Sequence, residues 1–283
     1  MIKDESIVYT PESGIRHPKK LITDFLHNLP QAHALGYRLF LRNLKGMYRQ
    51  SLLGIFWSVI PPLVTSLIWI LLNGQRVVTI DVPGVSYPLF VIIGTTLWQS
   101  FAEGVNGPIR GVALGKSMLT KINFPRESLI LSGIYEAVFN TLVKIGLLVL
   151  VFVVFQQLPT WTTLLGIMGF AALILLGSTI GLLLTPLAML YNDVQRGITI
   201  VLQFAIYLTP VIYPQPESGL VATLMKFNPV APVLTTTRNL LLGTATPGLP
   251  TFFWVSSACL FLFVLGILAY RLVMPVIIER IGS

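Results

Sequence analysis

Long apolar segments, separated by short polar ones, extend through most of the sequence. We predict that they form six membrane-spanning helices, because a helix needs about 20 apolar residues to cross a hydrocarbon core of roughly 30 Å. The predicted spans lie near residues 52–73, 85–105, 129–155, 161–190, 198–213 and 251–274. Strands of a membrane barrel would instead alternate apolar and polar residues over about 10 positions. The pattern therefore predicts an all-α integral membrane protein with six transmembrane helices.

Two details of the apolar pattern predict irregular helices. Pro61 and Pro62 interrupt the first span and remove two backbone donors, which predicts a kink at that point. Between the fifth and sixth spans, the apolar stretches 220–227 and 230–242 are too short to cross the membrane. We expect these stretches to form short re-entrant or gate helices.

The polar segments complete the domain organisation. We predict a cytoplasmic N-terminal extension at 1–34, an amphipathic interface helix at 35–51, the six-span domain at 52–275 and a cytoplasmic tail at 276–283. The interface helix is predicted because basic residues recur at helical spacing beside an apolar face, as in helices that lie on anionic leaflets. These basic residues are Arg38, Arg42, Lys45 and Arg49. An ordinary basic flank of a membrane span accounts for the composition equally well.

Composition and charge agree with a membrane location. Charged residues make up 11% of the chain and hydrophobic residues 54%, which leaves too little polar surface to coat a water-soluble globule. The net charge is +8, and the predicted cytoplasmic side holds fifteen of the 19 Lys and Arg residues. This asymmetry predicts that both termini lie in the cytoplasm. We assign the basic residues to topology and to contacts with membrane lipids, and expect no nucleic-acid binding.

The segment 106–128, between the second and third spans, is predicted to be a docking element on the cytoplasmic side. Gly111 and Gly115 resemble the glycines of a phosphate-binding loop, but three residues separate them where the nucleotide loop needs four. We therefore expect no nucleotide site in this chain, so that any ATP is hydrolysed by another chain.

Helix caps are predicted within the same segment. Asn106 or Gly107 would cap a short helix with Pro108 in its first turn, and Asn123 would cap a helix that begins at Pro125. A short helix held between two spans transmits a push from a soluble partner to the membrane. An ordinary solvated loop with topogenic charges explains the segment equally well.

Polar residues interrupt the third span. Glu136, Asn140 and Lys144 are four residues apart, which places them along one face of a helix. A stripe that faces a hydrated channel and an intrahelical Glu–Lys arrangement buried against a neighbouring helix explain this spacing equally well. Gly177 and Gly181 have the small-residue spacing that allows close helix packing, and local packing is favoured over a dimer contact.

Several motifs together resemble the ABC-2 type permeases that export polysaccharides. In chain order they are 48–54 (YRQSLLG) with Trp57 and Pro61, 121–125 (KINFP), 209–214 (TPVIYP), and 227–229 (FNP) with Arg238. The resemblance extends from about residue 35 to the end and rests on the order and spacing of the motifs. Asn192 stands where the family often has an arginine.

This resemblance implies a six-span subunit that pairs with a copy of itself to enclose a channel. It also implies two copies of a cytoplasmic nucleotide-binding ATPase, which would hold ATP and Mg²⁺, and no cofactor in this chain. The implied cargo is an undecaprenyl-linked glycan, such as O-antigen, exported across a bacterial cytoplasmic membrane. The residues that the resemblance assigns to ATPase coupling are Arg42, Arg49, Arg110, Lys116, Phe124, Pro125 and Arg126.

An aromatic, hydrated channel suits a sugar chain, because sugars present apolar C–H faces to aromatic rings and hydroxyls to hydrogen-bonding groups. The candidate channel residues are Trp57, Trp69, Tyr135, Glu136, Asn140, Lys144 and Tyr207. The candidate outer-gate residues are Tyr213, Asn228 and Pro229.

Two other classes of function agree with fewer features of the sequence. An ion-coupled carrier or lipid flippase without ATP needs ion sites inside the membrane, and only the stripe from Glu136 to Lys144 suggests one. A membrane-embedded transferase needs clustered acids, histidines or a metal, whereas the acids here are scattered. The histidines His17, His27 and His33 have no metal-ligand spacing, and we expect them to be solvated.

Overall fold

The computed structural model describes residues 18–49, 51–119, 121, 124–216 and 218–282, and within these ranges the regular structure is helical, with no strand. The α-helices, numbered in chain order, are α1 (Pro18–Arg49), α2 (Ile60–Gly74), α3 (Tyr87–Leu114), α4 (Lys116–Leu119), α5 (Glu127–Val154), α6 (Trp161–Leu190), α7 (Asn192–Ala205), α8 (Leu220–Lys226), α9 (Val230–Leu242) and α10 (Leu249–Gly282). Short 3₁₀ helices lie at Gly54–Ser58 and Ile206–Leu208. The all-α class predicted from the sequence is confirmed.

Three of the described helices, α5, α6 and α10, are both long enough and apolar enough to cross a membrane. The protein is therefore a multi-pass membrane protein, and the total of six spans stays a prediction. α3 has 28 residues, but most of its side chains are buried in protein rather than exposed to lipid. A helix that faces other helices tolerates Thr, Ser and Gly where a lipid-facing helix needs apolar residues, which explains its lower hydropathy.

The predicted first span is shorter and more irregular than the sequence indicated. Instead of one helix over 52–73, the chain forms the 3₁₀ helix Gly54–Ser58 and then α2, which has 15 residues. Pro61 and Pro62 lie in the first turn of α2, where a backbone N–H has no intrahelical partner to lose. The predicted kink is therefore wrong, because these prolines begin the helix.

The predicted fifth span, 198–213, is wrong at both ends. α7 begins at Asn192 with Asp193 in its first turn, where a negative charge favours the helix N-terminus. The helical segment ends at Leu208, because Thr209 precedes a proline and adopts extended backbone angles. α8 and α9 occupy the stretch that the sequence assigned to gate helices, and their gating role stays a prediction.

The central helix of the bundle is α3, which packs most extensively against α6 and next against α5. Its backbone closely approaches both neighbours at glycines. A Cβ at Gly133 would lie 1.9 Å from the carbonyl oxygen of Gly107, and one at Gly181 would lie 2.1 Å from that of Val105. Gly177 makes a similar approach to Phe101. Local packing by the Gly177–Gly181 pair is confirmed.

The docking segment predicted at 106–128 is wrong in its secondary structure. α3 continues through Asn106, Gly107 and Pro108 to Leu114, so neither of the first two residues caps a short helix. The glycines there serve helix packing instead of ending a helix. α5 begins at Glu127, not at Pro125, and Asn123 lies outside the described residues.

The N-terminal helix α1 begins at Pro18, well before the predicted start at residue 35, and packs along α5. Its apolar face joins an apolar group that we name the terminal cluster. The buried members of this cluster are Leu39, Val112, Leu119, Leu129, Ile130, Leu182, Met189, Tyr270, Met274 and Ile277. α1 and the last turns of α10 both contribute to it, so parts of the two terminal helices lie at the same end of the bundle.

We expect Gly133→Ala to destabilise the protein by about 1–3 kcal/mol, because the new methyl group would overpack the α3–α5 contact. The measurement is the melting temperature of the purified protein in detergent. Gly146→Ala is the matched control, since a Cβ at Gly146 in the same helix meets nothing within 4 Å. Equal melting temperatures for the two variants would contradict this contact.

Candidate functional site

Two ion pairs join α3 and α5 within the bundle. Lys144 Nζ donates to a carboxylate oxygen of Glu103, and Arg110 Nη2 lies 3.1 Å from Glu136 Oε1. Each helix contributes one acid and one base, and the close helix approach at Gly133 brings them within reach. The intrahelical Glu–Lys arrangement is therefore wrong, because both charged residues of α5 pair with α3.

The polar stripe of α5 is buried between helices in the single chain. Lys144 is fully buried, while Glu136 and Asn140 are 2% and 7% exposed. The side chain of Arg110 is 39% exposed, so the site is accessible at its Arg110 end and closed at Lys144. Glu103 Oε2 and Asn140 Oδ1 have no hydrogen-bond partner among the described residues. The site thus combines balanced charges with unused acceptor atoms.

Tyr48, near the end of α1, lies close to these ion pairs. Burial raises the pKa of its phenol above the ordinary value, and the nearby carboxylates of Glu136 and Glu103 raise it further. Its ring centroid lies 6.5 Å from that of Phe139 on α5. The interface helix therefore contacts the same region of α5 that bears the charged residues.

An aromatic seam fastens α1 to α5. We use this name for Tyr37, Phe40 and Tyr48 of α1 together with Tyr135 and Phe139 of α5, whose ring centroids lie 6.0 to 6.5 Å apart across the helix contact. These contacts place the ring of Tyr135 against α1, and its channel role stays a prediction.

His33 adds a hydrogen bond to the seam, between its Nδ1 and the hydroxyl of Tyr135. His33 is exposed, as predicted, and this contact gives the solvated ring a partner on α5. The two residues are 102 positions apart, so no local pattern in the sequence indicates the contact.

The predicted coupling residues lie in α1, in α4 and just before α5, except for Arg110 in α3. Arg42 donates to Met118 Sδ at 3.6 Å, which brings α1 beside α4, and Phe124 packs against the terminal cluster. Arg49 and Lys116 are exposed, and Pro125 and Arg126 are half-buried just before α5. Arg110 lies apart from this group, in α3, where it pairs with Glu136.

A further ion pair ties the C-terminal helix to the same end of the bundle. Arg271 of α10 lies 3.5 Å from Glu127 at the start of α5, and both side chains are largely buried. No spacing of residues within either segment indicates this pair in the sequence.

One of the predicted outer-gate residues, Tyr213, contacts the predicted channel aromatic Tyr207. Asn228 Nδ2 donates to Thr209 Oγ1 at 2.9 Å and to the Leu208 carbonyl at 3.1 Å. The hydroxyl of Tyr213 donates to the Tyr207 carbonyl, and the ring of Tyr207 lies 6.3 Å from that of Trp69. Pro229 is exposed beside Asn228, and Trp57 is 58% exposed in its 3₁₀ helix.

Arg238 holds the segment after Thr209 against the bundle. It is 2% exposed, donates from Nη2 to the Val211 carbonyl at 2.7 Å, and stacks 3.8 Å above the ring of Phe90. One hydrogen bond and one cation–π contact thus stabilise the buried guanidinium group, and neither involves a carboxylate. Arg238 belongs to one of the sequence motifs, but the motif does not indicate these partners.

Several curated proteins are similar to this chain, although no protein-family model matches it. It is 28% identical over 218 residues to the O-antigen export system permease protein RfbA of Myxococcus xanthus, covering 74% of this chain and 81% of that protein. It is 25% identical over 210 residues to the protein of the same name from Klebsiella pneumoniae, covering 71% and 78%. The polysialic acid transport protein KpsM of Escherichia coli is 20% identical over 177 residues. Similarity of this extent confirms the resemblance of the chain to the ABC-2 type permeases that export polysaccharides.

Proposed function

We propose that this chain is the transmembrane subunit of an ABC exporter that moves lipid-linked, O-antigen-like polysaccharide across the bacterial cytoplasmic membrane. The observation that carries the proposal is similarity to three O-antigen export permeases, each over more than 70% of the chain. Two copies of the chain would enclose the channel, and two copies of a separate ATPase would bind ATP and Mg²⁺ and supply the energy. Both termini would lie in the cytoplasm.

The terminal cluster supports a coupling route from such an ATPase to the membrane helices. Arg42 beside Met118 and the exposed Lys116 present positive charge where α1 and α4 meet, and Arg49 is exposed at the end of α1. A push on this surface would reach α5 through the aromatic seam and α10 through the pair of Arg271 and Glu127. The push would thus move rigid helices through packed contacts rather than through a flexible loop.

The aromatic group at the other predicted end of the channel supports a sugar-binding role. Tyr207 is 49% exposed, and its ring is tilted against that of Trp69 at 6.3 Å, so one side of the Tyr207 ring is accessible. An exposed aromatic ring offers an apolar surface to the C–H face of a sugar. Because this surface lies on the outside of a single chain, a second copy is needed to close a channel around it.

An ion-coupled carrier is the second candidate, and the buried pair of Lys144 and Glu103 is the observation that favours it. Charges inside membrane proteins often mark ion or proton pathways. Two features weigh against this candidate: both acids of the site are paired with bases, and the similarity is to export permeases. The pair is better explained as a connection between α3 and α5.

The first test concerns ATPase docking. Arg42→Glu combined with Lys116→Glu is expected to reduce copurification with the ATPase subunit at least tenfold, because reversed charge opposes the docking of a complementary surface. The matched control is Arg76→Glu combined with Lys226→Glu, which makes the same charge change at exposed residues predicted on the other side of the membrane. Unchanged copurification of the first variant would contradict the docking surface. A wild-type chain that copurifies with no ATPase would contradict the proposed function itself.

The second test concerns the channel aromatics. We expect Tyr207→Ala to lower polysaccharide export by about 2- to 10-fold, the effect of losing a ring contact of roughly 0.5–1.5 kcal/mol. Tyr207→Phe keeps the ring and should retain export. Tyr191→Ala, at a similarly exposed tyrosine near the start of α7, is the control. Export is measured as surface polysaccharide in cells that lack their own permease. Equal export by all three variants would contradict the assignment of Tyr207 to the channel.

The third test asks whether the pair of Lys144 and Glu103 connects α3 to α5 or forms part of an ion pathway. Lys144→Met alone is expected to cost about 3–5 kcal/mol in unfolding free energy, because it leaves Glu103 without its buried partner. Adding Glu103→Gln should recover more than half of that loss and restore ATP-dependent export. Thermal unfolding and export assays provide the two measurements. A stable double variant without transport would favour the ion-coupled carrier.

A further inference from the structure

A groove on the membrane-facing side of the bundle lies between α5 and α6, with Leu241 of α9 at its base. Its cavity volume is about 450 Å³, within the range of small-ligand sites. Both flanking helices are among those long and apolar enough to cross a membrane. The groove therefore opens toward lipid, and its described lining carries no charged residue.

The groove has the length of one membrane leaflet. It extends along α5 and the following turn from Ile145 to Gln156, a rise of about 17 Å at 1.5 Å per residue. Half of a hydrocarbon core of roughly 30 Å is about 15 Å. Beyond Ile145 a second apolar cavity of about 420 Å³ continues along α5 and α6 toward Leu131. The first groove therefore matches one leaflet in length, and the second continues into the other.

The mouth of the groove is polar, at the level expected for lipid headgroups. Gln156 and Gln157 line it at the end of α5, and Trp161 begins α6 nearby with 84% of its surface exposed. Exposed tryptophans are enriched at membrane–water interfaces. Two amide side chains at this level offer donors and acceptors to the ester and phosphate oxygens of a lipid.

The backbone at Gln156 is a separate indication that its side chain has a role. Gln156 has φ of 54°, the left-handed conformation that glycine adopts most easily at the end of a helix. Gln157 N–H donates to the Phe152 carbonyl at 2.9 Å, and Gln156 N–H to that of Val153 at 3.2 Å, as in a glycine-terminated helix. Because glycine would adopt this conformation at lower cost, the amide side chain of Gln156 is a candidate for a functional contact.

We propose that this groove binds one acyl chain of a membrane phospholipid, with the headgroup held at Gln156 and Gln157. The bound chain fills the space between α5 and α6, which contact each other much less than each contacts α3. It would stabilise the arrangement of these two helices. This inference concerns the lipid around the protein and is independent of the exported cargo.

The test uses the full-length chain in detergent, stripped of loosely bound lipid and then supplied with palmitoyl-oleoyl phosphatidylethanolamine. Native mass spectrometry is expected to detect one tightly bound phospholipid per chain. Ile167→Trp fills the groove and should lower this occupancy at least fivefold, and Gln156→Gly combined with Gln157→Ala should lower it more moderately. Met168→Trp is the matched control, because Met168 is the next residue of α6, is 67% exposed and does not line the groove.

A second measurement on the wild-type chain does not depend on the folding of any variant. The long-chain lipid should raise the melting temperature of the stripped protein, whereas dihexanoyl phosphatidylethanolamine, with the same headgroup and short tails, should not. The proposal is overturned if the wild type retains no phospholipid, if Ile167→Trp and Met168→Trp retain it equally, or if the short-chain lipid stabilises the protein as well as the long one.

Discussion

The close approach of α3 and α5 at Gly107 and Gly133 determines much of the remaining structure. Without side chains at these positions, the two backbones come near enough for acids and bases on one helix to reach those on the other. The ion pairs, the burial of Lys144 and the position of Tyr48 all depend on this distance. A larger residue at the contact would separate the helices and leave several charges without partners.

The pairing of these charges explains how a membrane bundle tolerates them. An isolated charge in hydrocarbon costs several kcal/mol, and pairing with further hydrogen bonds offsets that cost only when the geometry is good. Here Glu103 pairs with Lys144 and Glu136 with Arg110, so the four charges sum to zero. The exposed part of Arg110 gives this connection one contact with the surroundings, at the side near α1.

The terminal cluster and the aromatic seam make α1 part of the bundle rather than a loosely attached interface helix. Packed contacts transmit displacement better than a solvated loop does, because close-packed interiors compress little. If a separate ATPase drives this chain, as we propose, force enters the chain where it is both accessible and rigid. The junction of α1, α4 and the start of α5 meets both conditions, since exposed basic residues there overlie a buried apolar cluster.

The helical class, the membrane location and the family resemblance follow from the amino-acid sequence alone, because they depend on the length and order of apolar segments and of short motifs. The sequence also indicates that Glu136, Asn140 and Lys144 share a helix face, since that follows from helical periodicity alone. The residues that those side chains contact depend on how the helices pack, which helical periodicity does not specify. In the sequence, the glycines at 107 and 111 are typical of a loop. In the structure, both lie inside α3, where they allow its backbone to pack closely against α5. Partners such as His33 with Tyr135, or Arg271 with Glu127, lie more than one hundred residues apart, and their contact depends on how whole helices pack rather than on any local pattern.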